Sequence, residues 1–406
     1  MRILLANKFH YLKGGSEKYY FELGKLLKEH GHQIAFFSMQ NDKNIKTNEK
    51  EYLVDEIDLN VGSKLKAIDV IYSRKNKKEM LKAIKDFQPD IIHLNNFQRQ
   101  LSESIVEAAK EKNIPVVFTA HDLQAICPSI TMLDNNKNIC ELCKNGKYLN
   151  CIKKKCVKNS LLKSILASIE GKFYRVKKVY NKEIDWIVTP SEFYKQKMIE
   201  DGIGEKHITA IHNFIELDKY NLEIQDDGYG LYIGRLSKEK GIFNLIEAFS
   251  NIKNQRLYIV GEGPERKRIE SIITEKGLND KIILVGYINQ EEVKEYLRKA
   301  RFVVVPSIWY ENCPYSVMEA LAIGKPVIGA DIAGIPELVK DKVNGFLYKY
   351  DSILDLKSKM EIMYENPELA KKYGKKGKEI AVENYDKEKY YNKIIEIYKK
   401  LLKNKF

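Results

Sequence analysis

No stretch of this sequence approaches the roughly 20 consecutive apolar residues that cross a bilayer as a helix, so a transmembrane segment is not expected. The glycines after the first apolar strand do not spell G-x-G-x-x-G, which counts against a bound nicotinamide or flavin dinucleotide. Helix-turn-helix, zinc-finger and RNA-binding signatures are also missing, so nucleic acid is not the expected partner despite a net charge of +13. Cysteine is scarce outside one segment: five of the six fall between Cys127 and Cys156. Acid is nearly absent from 144 to 182, where twelve Lys and Arg stand against Glu170 alone, a local excess of +11. Such a concentrated basic surface points to an anionic partner. The strand at 3–6 begins almost at Met1, which leaves no room for a leader, and a cytoplasmic protein is expected.

The chain is long for one core, and its apolar segments come in two series. Strands are predicted at 2–7, 33–38, 91–94, 116–120 and 186–190, with helices at 16–30, 77–87 and 100–113. After a connection near 211–228 the alternation restarts at "GYGLYIGRL". It runs on through 257–260, 282–285, 302–306, 326–329 and 345–347. Strand–helix alternation of this kind builds parallel sheets, so the expected fold is α/β with two Rossmann-like domains facing each other across a cleft. The expected limits are 1–210, with a Cys-rich basic insertion at about 127–182, then 211–385, then a lysine-rich helix at 386–406 that crosses back. Open parallel sheets bind ligands beyond the carboxyl ends of their strands, so the loops there are the place to look for chemistry.

Several of those loops carry polar residues. Gly14 and Gly15 follow the first strand and open a helix, where backbone N–H groups meet an anion or, on the plainer reading, form a glycine turn. His121 and Asp122 end one strand; Asn95 and Asn96 end another, and amides suit hydroxyl recognition. His93, inside its strand, reads as a packed residue. In "IGRLSKEKG", Gly234 and Arg235 leave a strand and Lys240 stands five residues beyond Arg235, a spacing that suits a diphosphate clamp. Gly261 and Glu262 in "VGEGPE" occupy the equivalent place after the next strand.

The richest stretch is "WYENCPYSVMEALAIGKPVI". Glu311 falls on the loop after "FVVVPS", and Glu319 lies about one turn into the helix that follows. The N–H groups of Tyr315, Ser316 and Val317 are expected to be unpaired at that helix start, open to a diphosphate. Carboxylates accept hydrogen bonds from the hydroxyls of a sugar or a ribose, so the junction offers hydroxyl, phosphate and hydroxyl recognition in that order. A sugar nucleotide presents the same order of groups.

With these motifs in order along nearly the whole chain, and with "GKPVIGADIAGIPELV" and "NGFLY" closing the series, the sequence resembles the retaining GT-B glycosyltransferases of family four, of the bacterial polysaccharide type. The resemblance implies a donor diphosphate held by Arg235 and Lys240, with Gly15 near its phosphate. It implies Glu311 at the transferred sugar, Glu319 at the ribose, and His121 near the reacting sugar. It also implies metal-independent transfer, in keeping with the lack of an Asp-x-Asp motif, and a UDP- or GDP-type sugar as donor. Donor contacts are then expected from Gly14, Gly234, Gly261, Glu262, Tyr287, Asn312, Cys313, Pro314, Tyr315, Ser316 and Val317, and acceptor contacts from Asn96, His121 and Asp122. The acceptor would be a glycan or a lipid-linked glycan. A nucleotide-sugar epimerase of the same fold and a non-catalytic sugar-nucleotide binder are the alternatives; a glycogen-type phosphorylase would need a longer chain and a pyridoxal-phosphate lysine.

Two features lie outside this scheme. Cys140, Cys143, Cys151 and Cys156 have a spacing compatible with structural zinc, against unliganded thiols as the plainer reading. Residues 157–182 carry a helical apolar stripe, Leu162, Ile165, Leu166, Ile169, Phe173, Val176 and Tyr180, with lysines on other faces. That pattern fits either a helix packed by its stripe on the first domain or one attached to an anionic membrane surface.

Overall fold

A computed structural model describes residues 1–57 and 66–403. The chain divides into two compact units: the first takes Met1–His212 and the chain from Tyr390 onward, the second Asn213–Lys389. Each contains one all-parallel sheet with helices between its strands.

In the first unit the strands are β1 (Arg2–Ala6), β2 (Gln33–Met39), β3 (Lys50–Val54), β4 (Ile91–Leu94), β5 (Val116–Thr119), β6 (Trp186–Thr189) and β7 (Ile208–Ala210). They lie in the order β3-β2-β1-β4-β5-β6-β7. Ile3 pairs with Ile34 on one side and Ile91 on the other, and Ile3 through Ala6 are wholly buried. A strand with neighbours on both edges and helices on both faces must be apolar throughout, and "ILLA" is. The pattern misses β3 and β7. Both are edge strands: "KEYLV" has one buried residue, and "ITA" is only three long.

The last helix, Lys387–Lys403, packs on the first unit from Tyr390 on. Residues 404–406 of the expected 386–406 helix lie outside the described residues. Tyr398 OH bonds His93 Nδ1, while His93 Nε2 lies 2.7 Å from Thr119 Oγ1, so a helix more than 260 residues away is tied to two central strands. Tyr390 and Tyr19 share their hydroxyls, and Tyr391 stacks on His30 with ring centroids 3.6 Å apart.

The second unit's sheet is β10-β9-β8-β11-β12-β13. Its strands are β8 (Gly230–Ile233), β9 (Leu257–Val260), β10 (Ile282–Gly286), β11 (Phe302–Val305), β12 (Val327–Ala330) and β13 (Gly345–Tyr348). Strand order reverses at β1/β4 in the first sheet and at β8/β11 in the second. At such a switch point the two following connections depart to opposite faces, which opens a crevice at the strands' carboxyl ends. The loops after β8 and β11 carry Arg235, Lys240 and Glu311. Those after β1, β4 and β5 carry Gly14, Asn96 and His121.

Candidate active site

In the second unit, the loops after β8 and β11 are pressed together. Ile308 N–H donates to Glu239 O at 3.0 Å. Gly241, at φ 71°, comes so near β11's exit that a Cβ there would lie 1.7 Å from Pro306 O. This contact brings Lys240 to Glu311: its Nζ donates to Glu311 Oε1 at 2.6 Å and stands 5.2 Å from the Trp309 ring centroid. Ser307 Oγ, at 2.6 Å, and Trp309 Nε1, at 2.8 Å, donate to the same oxygen. Oε1 thus takes three donors, and Oε2 takes none among the described residues. Glu311 is 6% exposed. Burial pushes its carboxyl pKa up, but the Lys240 charge and the three hydrogen bonds outweigh burial and hold it below the usual carboxylate range. Glu311 is therefore a fixed anion.

Arg235 is exposed and has no ion-pair partner among the described residues; the Tyr232 hydroxyl donates to its carbonyl at 2.9 Å and fixes its backbone. The helix Tyr315–Ile323 starts at Pro314 with no side-chain cap. Of the three N–H groups expected to be open there, Val317's is used: it donates to Pro314 O at 3.1 Å, because the first turn closes tightly. Cys313 faces the core, its thiol 3.4 Å from Met318 Sδ and pushed up to about 12 by burial. Its carbonyl accepts from the buried Asn213 Nδ2 at 3.4 Å. Glu319 is buried within the first turns of this helix and accepts from Tyr220 OH at 3.0 Å.

Gly234 and Gly261 bring the β8 and β9 exits into contact, and a Cβ on Gly261 would lie 2.0 Å from Gly234 O. Glu262 accepts from Arg266 at 3.1 Å. Tyr287, just past Gly286, is 82% exposed, a flat aromatic surface beside the same strand ends.

In the first unit, His121 and Asn95 leave adjacent strands, with Nε2 and Oδ1 2.9 Å apart. The Tyr19 ring stands edge-on to the imidazole at 4.7 Å, and burial drops the His121 pKa to about 3, so the ring is neutral at physiological pH. Asn96 donates to Ser16 Oγ at 2.9 Å, which ties the β4 exit to the helix Gly15–Glu29. Gly14 caps that helix with φ −174°, and neither it nor Gly15 has a positive φ. Neither glycine, then, is required by a left-handed turn. Asp122 is pushed up by burial and opposed by Lys8, whose own pKa burial lowers. Lys8, Tyr19, Ser307 and Trp309 had escaped the sequence reading. They flank motif residues but bear no pattern of their own, although Ser307 ends "FVVVPS" and Trp309 opens the stretch that follows.

The described residues give no support to the zinc site that the cysteine spacing allowed. Among the described residues no three His, Cys, Asp or Glu side chains are arranged to hold a metal. Cys143 and Cys151 instead make a small core with Tyr148, against which Cys156 and Val157 pack.

Comparison with known proteins gives the family and the fold. The model of Glycosyltransferase Family 4 matches residues 13–219, and that of Glycosyl transferases group 1 matches 214–380. The amylovoran biosynthesis glycosyltransferase AmsK of Erwinia amylovora is 33% identical over 170 residues, 39% of this chain and 42% of that protein. An uncharacterized 42.6 kDa protein in the cps region of Klebsiella pneumoniae is 27% identical over 88% of this chain and 92% of its own. The matches to the first relatives span about half their length, from 41% to 59%. Among solved structures, sucrose-phosphate synthase from Thermosynechococcus elongatus superposes with a TM-score of 0.74 at 20% identity over 99% of both chains. Anabaena HepE in complex with UDP superposes with a TM-score of 0.71 at 15% identity over 98% of this chain and 100% of its own. These last two likenesses establish the GT-B fold, and with the family match over half the sequence the chain belongs to the family 4 glycosyltransferases.

Proposed function

We propose that this glycosyltransferase moves a sugar, with retention of anomeric configuration, from a nucleoside-diphosphate sugar to a glycan or lipid-linked acceptor in cell-surface polysaccharide synthesis. The observation that carries the reading is the site at the β8/β11 switch point: a buried, fixed Glu311 held by Lys240, with the open cation Arg235 on the same loop. Nucleoside-diphosphate departure leaves negative charge on phosphate and oxocarbenium character on the sugar. Arg235, Lys240 and the uncapped start of the helix Tyr315–Ile323 stabilise the first, and no metal is needed for it. Glu311 reads a hydroxyl of the transferred sugar through Oε2, and Glu319 with Tyr220 holds the ribose. With no enzyme nucleophile assigned, same-face attack is the route to retention, the leaving phosphate taking the acceptor's proton.

The first unit is the acceptor side in this reading, with neutral His121 beside the reacting sugar and Asn96 and Asp122 at the acceptor. HepE was solved with UDP and UDP-glucose, so uridine sugars are the donors to try before guanosine sugars. The setting is the cytoplasmic face of the plasma membrane; among the described residues no helix is long and apolar enough to cross one.

A thermal-shift screen of nucleotide sugars tests the donor, since a ligand that binds only the folded state raises its melting temperature. A matched donor should then be consumed only when acceptor is present. Conversion without acceptor would make the protein an epimerase, and tight binding without turnover a sensor.

A further inference from the structure

The helix Leu161–Lys177 packs by the face that its sequence marks as the weaker one. Its buried residues are Ser164, Ala167, Ser168, Glu170 and Tyr174. Ser168 Oγ donates to Tyr148 O at 3.2 Å, and Glu170 meets Arg99 and Gln124, both at 3.3 Å. The predicted stripe is divided: Leu162 is 78% exposed, Ile169 51% and Val176 69%, whereas Ile165, Leu166 and Phe173 are half-buried and Tyr180 is buried. These three stand at seven-residue intervals, which sets them in one line down the helix. Leu142, Leu149 and Leu161 are exposed nearby, so six of the fourteen exposed large apolar residues among the described residues lie between 142 and 176. Scattered exposed leucines need no explanation, but a concentration of this kind marks an interaction surface.

Charge selects the occupant. Between 144 and 182 the only acid is Glu170, and it is buried against Arg99. What this segment shows to water is aliphatic surface together with Lys147, Lys153, Lys155, Lys172, Lys178 and Lys182. Lys144, Lys154, Arg175 and Lys177 are paired with Glu200, Asp134, Asp201 and Glu103 from outside the segment, and pairing the stripe with that of a second copy would set the remaining exposed lysines of both copies against each other. An anionic lipid surface satisfies both features, because its phosphates neutralise the lysines while the acyl boundary takes the aliphatic line.

We propose that the helix Leu161–Lys177 docks this chain on an anionic bilayer, with Leu162, Ile169 and Val176 entering the headgroup–acyl boundary and the surrounding lysines among the phosphates. The inference goes beyond the donor reading, and its test needs no substrate. The full chain is sedimented with vesicles of phosphatidylcholine alone or mixed with phosphatidylglycerol, across a salt series. Binding should be at least about tenfold tighter on the anionic vesicles and weaken as salt rises. Lys172→Gln and Lys178→Gln should each cost about fivefold, the equivalent of ~1 kcal/mol per lysine near such a surface. Leu162→Ser/Ile169→Ser/Val176→Ser should cost tenfold or more while its thermal unfolding stays that of the wild type, because all three side chains are exposed. Equal binding to both vesicle types, or a triple variant that binds as the wild type does, would overturn the proposal. So would a dimer in light scattering that the triple variant dissolves without vesicle binding, since the stripe would then join two copies.

Discussion

Lys240 Nζ lies 2.6 Å from Glu311 Oε1, while Arg235, five residues earlier on the same loop, has no ion-pair partner among the described residues. The two cations of the expected diphosphate clamp therefore differ in what the fold asks of them. Lys240→Ala leaves a buried carboxylate without its counter-charge, at a cost of about 2 kcal/mol given that Lys240 is partly exposed. Arg235→Ala should cost less than about 0.5 kcal/mol. Both should lower turnover by on the order of 100-fold or more. Urea unfolding set beside initial rates separates the effects, and unchanged turnover in Arg235→Ala removes it from the site.

Glu319 and Tyr220 should act on donor affinity. Losing a hydrogen bond to a charged group costs about 1.5–3 kcal/mol, so Glu319→Gln should raise the donor KM about tenfold with a smaller effect on kcat. Tyr220→Phe, which removes the 3.0 Å bond that orients the carboxylate, should move KM the same way by less. An effect confined to kcat would take Glu319 away from the ribose.

Two glycines make a contrast. Gly241→Ala must push the Lys240 loop off Pro306 or strain a φ of 71°, so a loss of more than about 2 kcal/mol is expected along with activity. Gly14 has an extended backbone, and a Cβ there would find its nearest neighbour, Glu17 Oε2, at an ordinary 3.7 Å. Gly14→Ala should fold with normal stability yet turn over more slowly if, as proposed, this backbone approaches the donor phosphate. Full activity in Gly14→Ala would show that no ligand approaches that backbone.

The pH dependence of stability should carry a histidine signature. Burial, helped by nearby His121, holds the His93 pKa at about 3 against an ordinary 6.5. The folded state keeps the ring neutral while the unfolded chain protonates it below 6.5. Stability is thus fully present above that value and lost as pH falls from 6.5 toward 3. At a pH of about 5.5 the loss from one such ring is on the order of 1 kcal/mol. His93→Gln should weaken the protein at neutral pH, by loosening Tyr398 and Thr119, yet flatten the slope between pH 7.5 and 5.5 in urea titrations. An unchanged slope would show that His93 is already charged in the fold.

The central strands and the loops after them were legible because burial on two faces forces continuous apolar runs, and polar residues then stand out at the ends. Edge strands β3 and β7 were not, since one free edge relaxes that demand. The loops proposed to hold the donor stood out through Arg235, Lys240, Glu311 and Glu319, which the structure sets in the loops and the helix start beyond β8 and β11. Their supports were not found: Ser307 and Trp309 reach Glu311 only through the particular fold of its own loop, and Tyr220 reaches Glu319 from a distant segment, and neither meeting leaves a periodic trace in the sequence. The helix Leu161–Lys177 shows the opposite failure. Its periodicity was plain, but periodicity says which residues share a face and not which face turns inward, and here Glu170 meeting Arg99 decided it.

The three donors on Glu311 Oε1 have an entropic consequence. A free glutamate loses up to about 2 kcal/mol of rotamer freedom when it is immobilised. In this protein that freedom is already gone before any sugar arrives, removed during folding by Ser307, Trp309 and Lys240. The carboxylate also becomes one-sided, because a pair of vicinal hydroxyls cannot straddle both oxygens while Oε1 is filled. On the proposed reading a sugar comes to Oε2, in the orientation that folding has set.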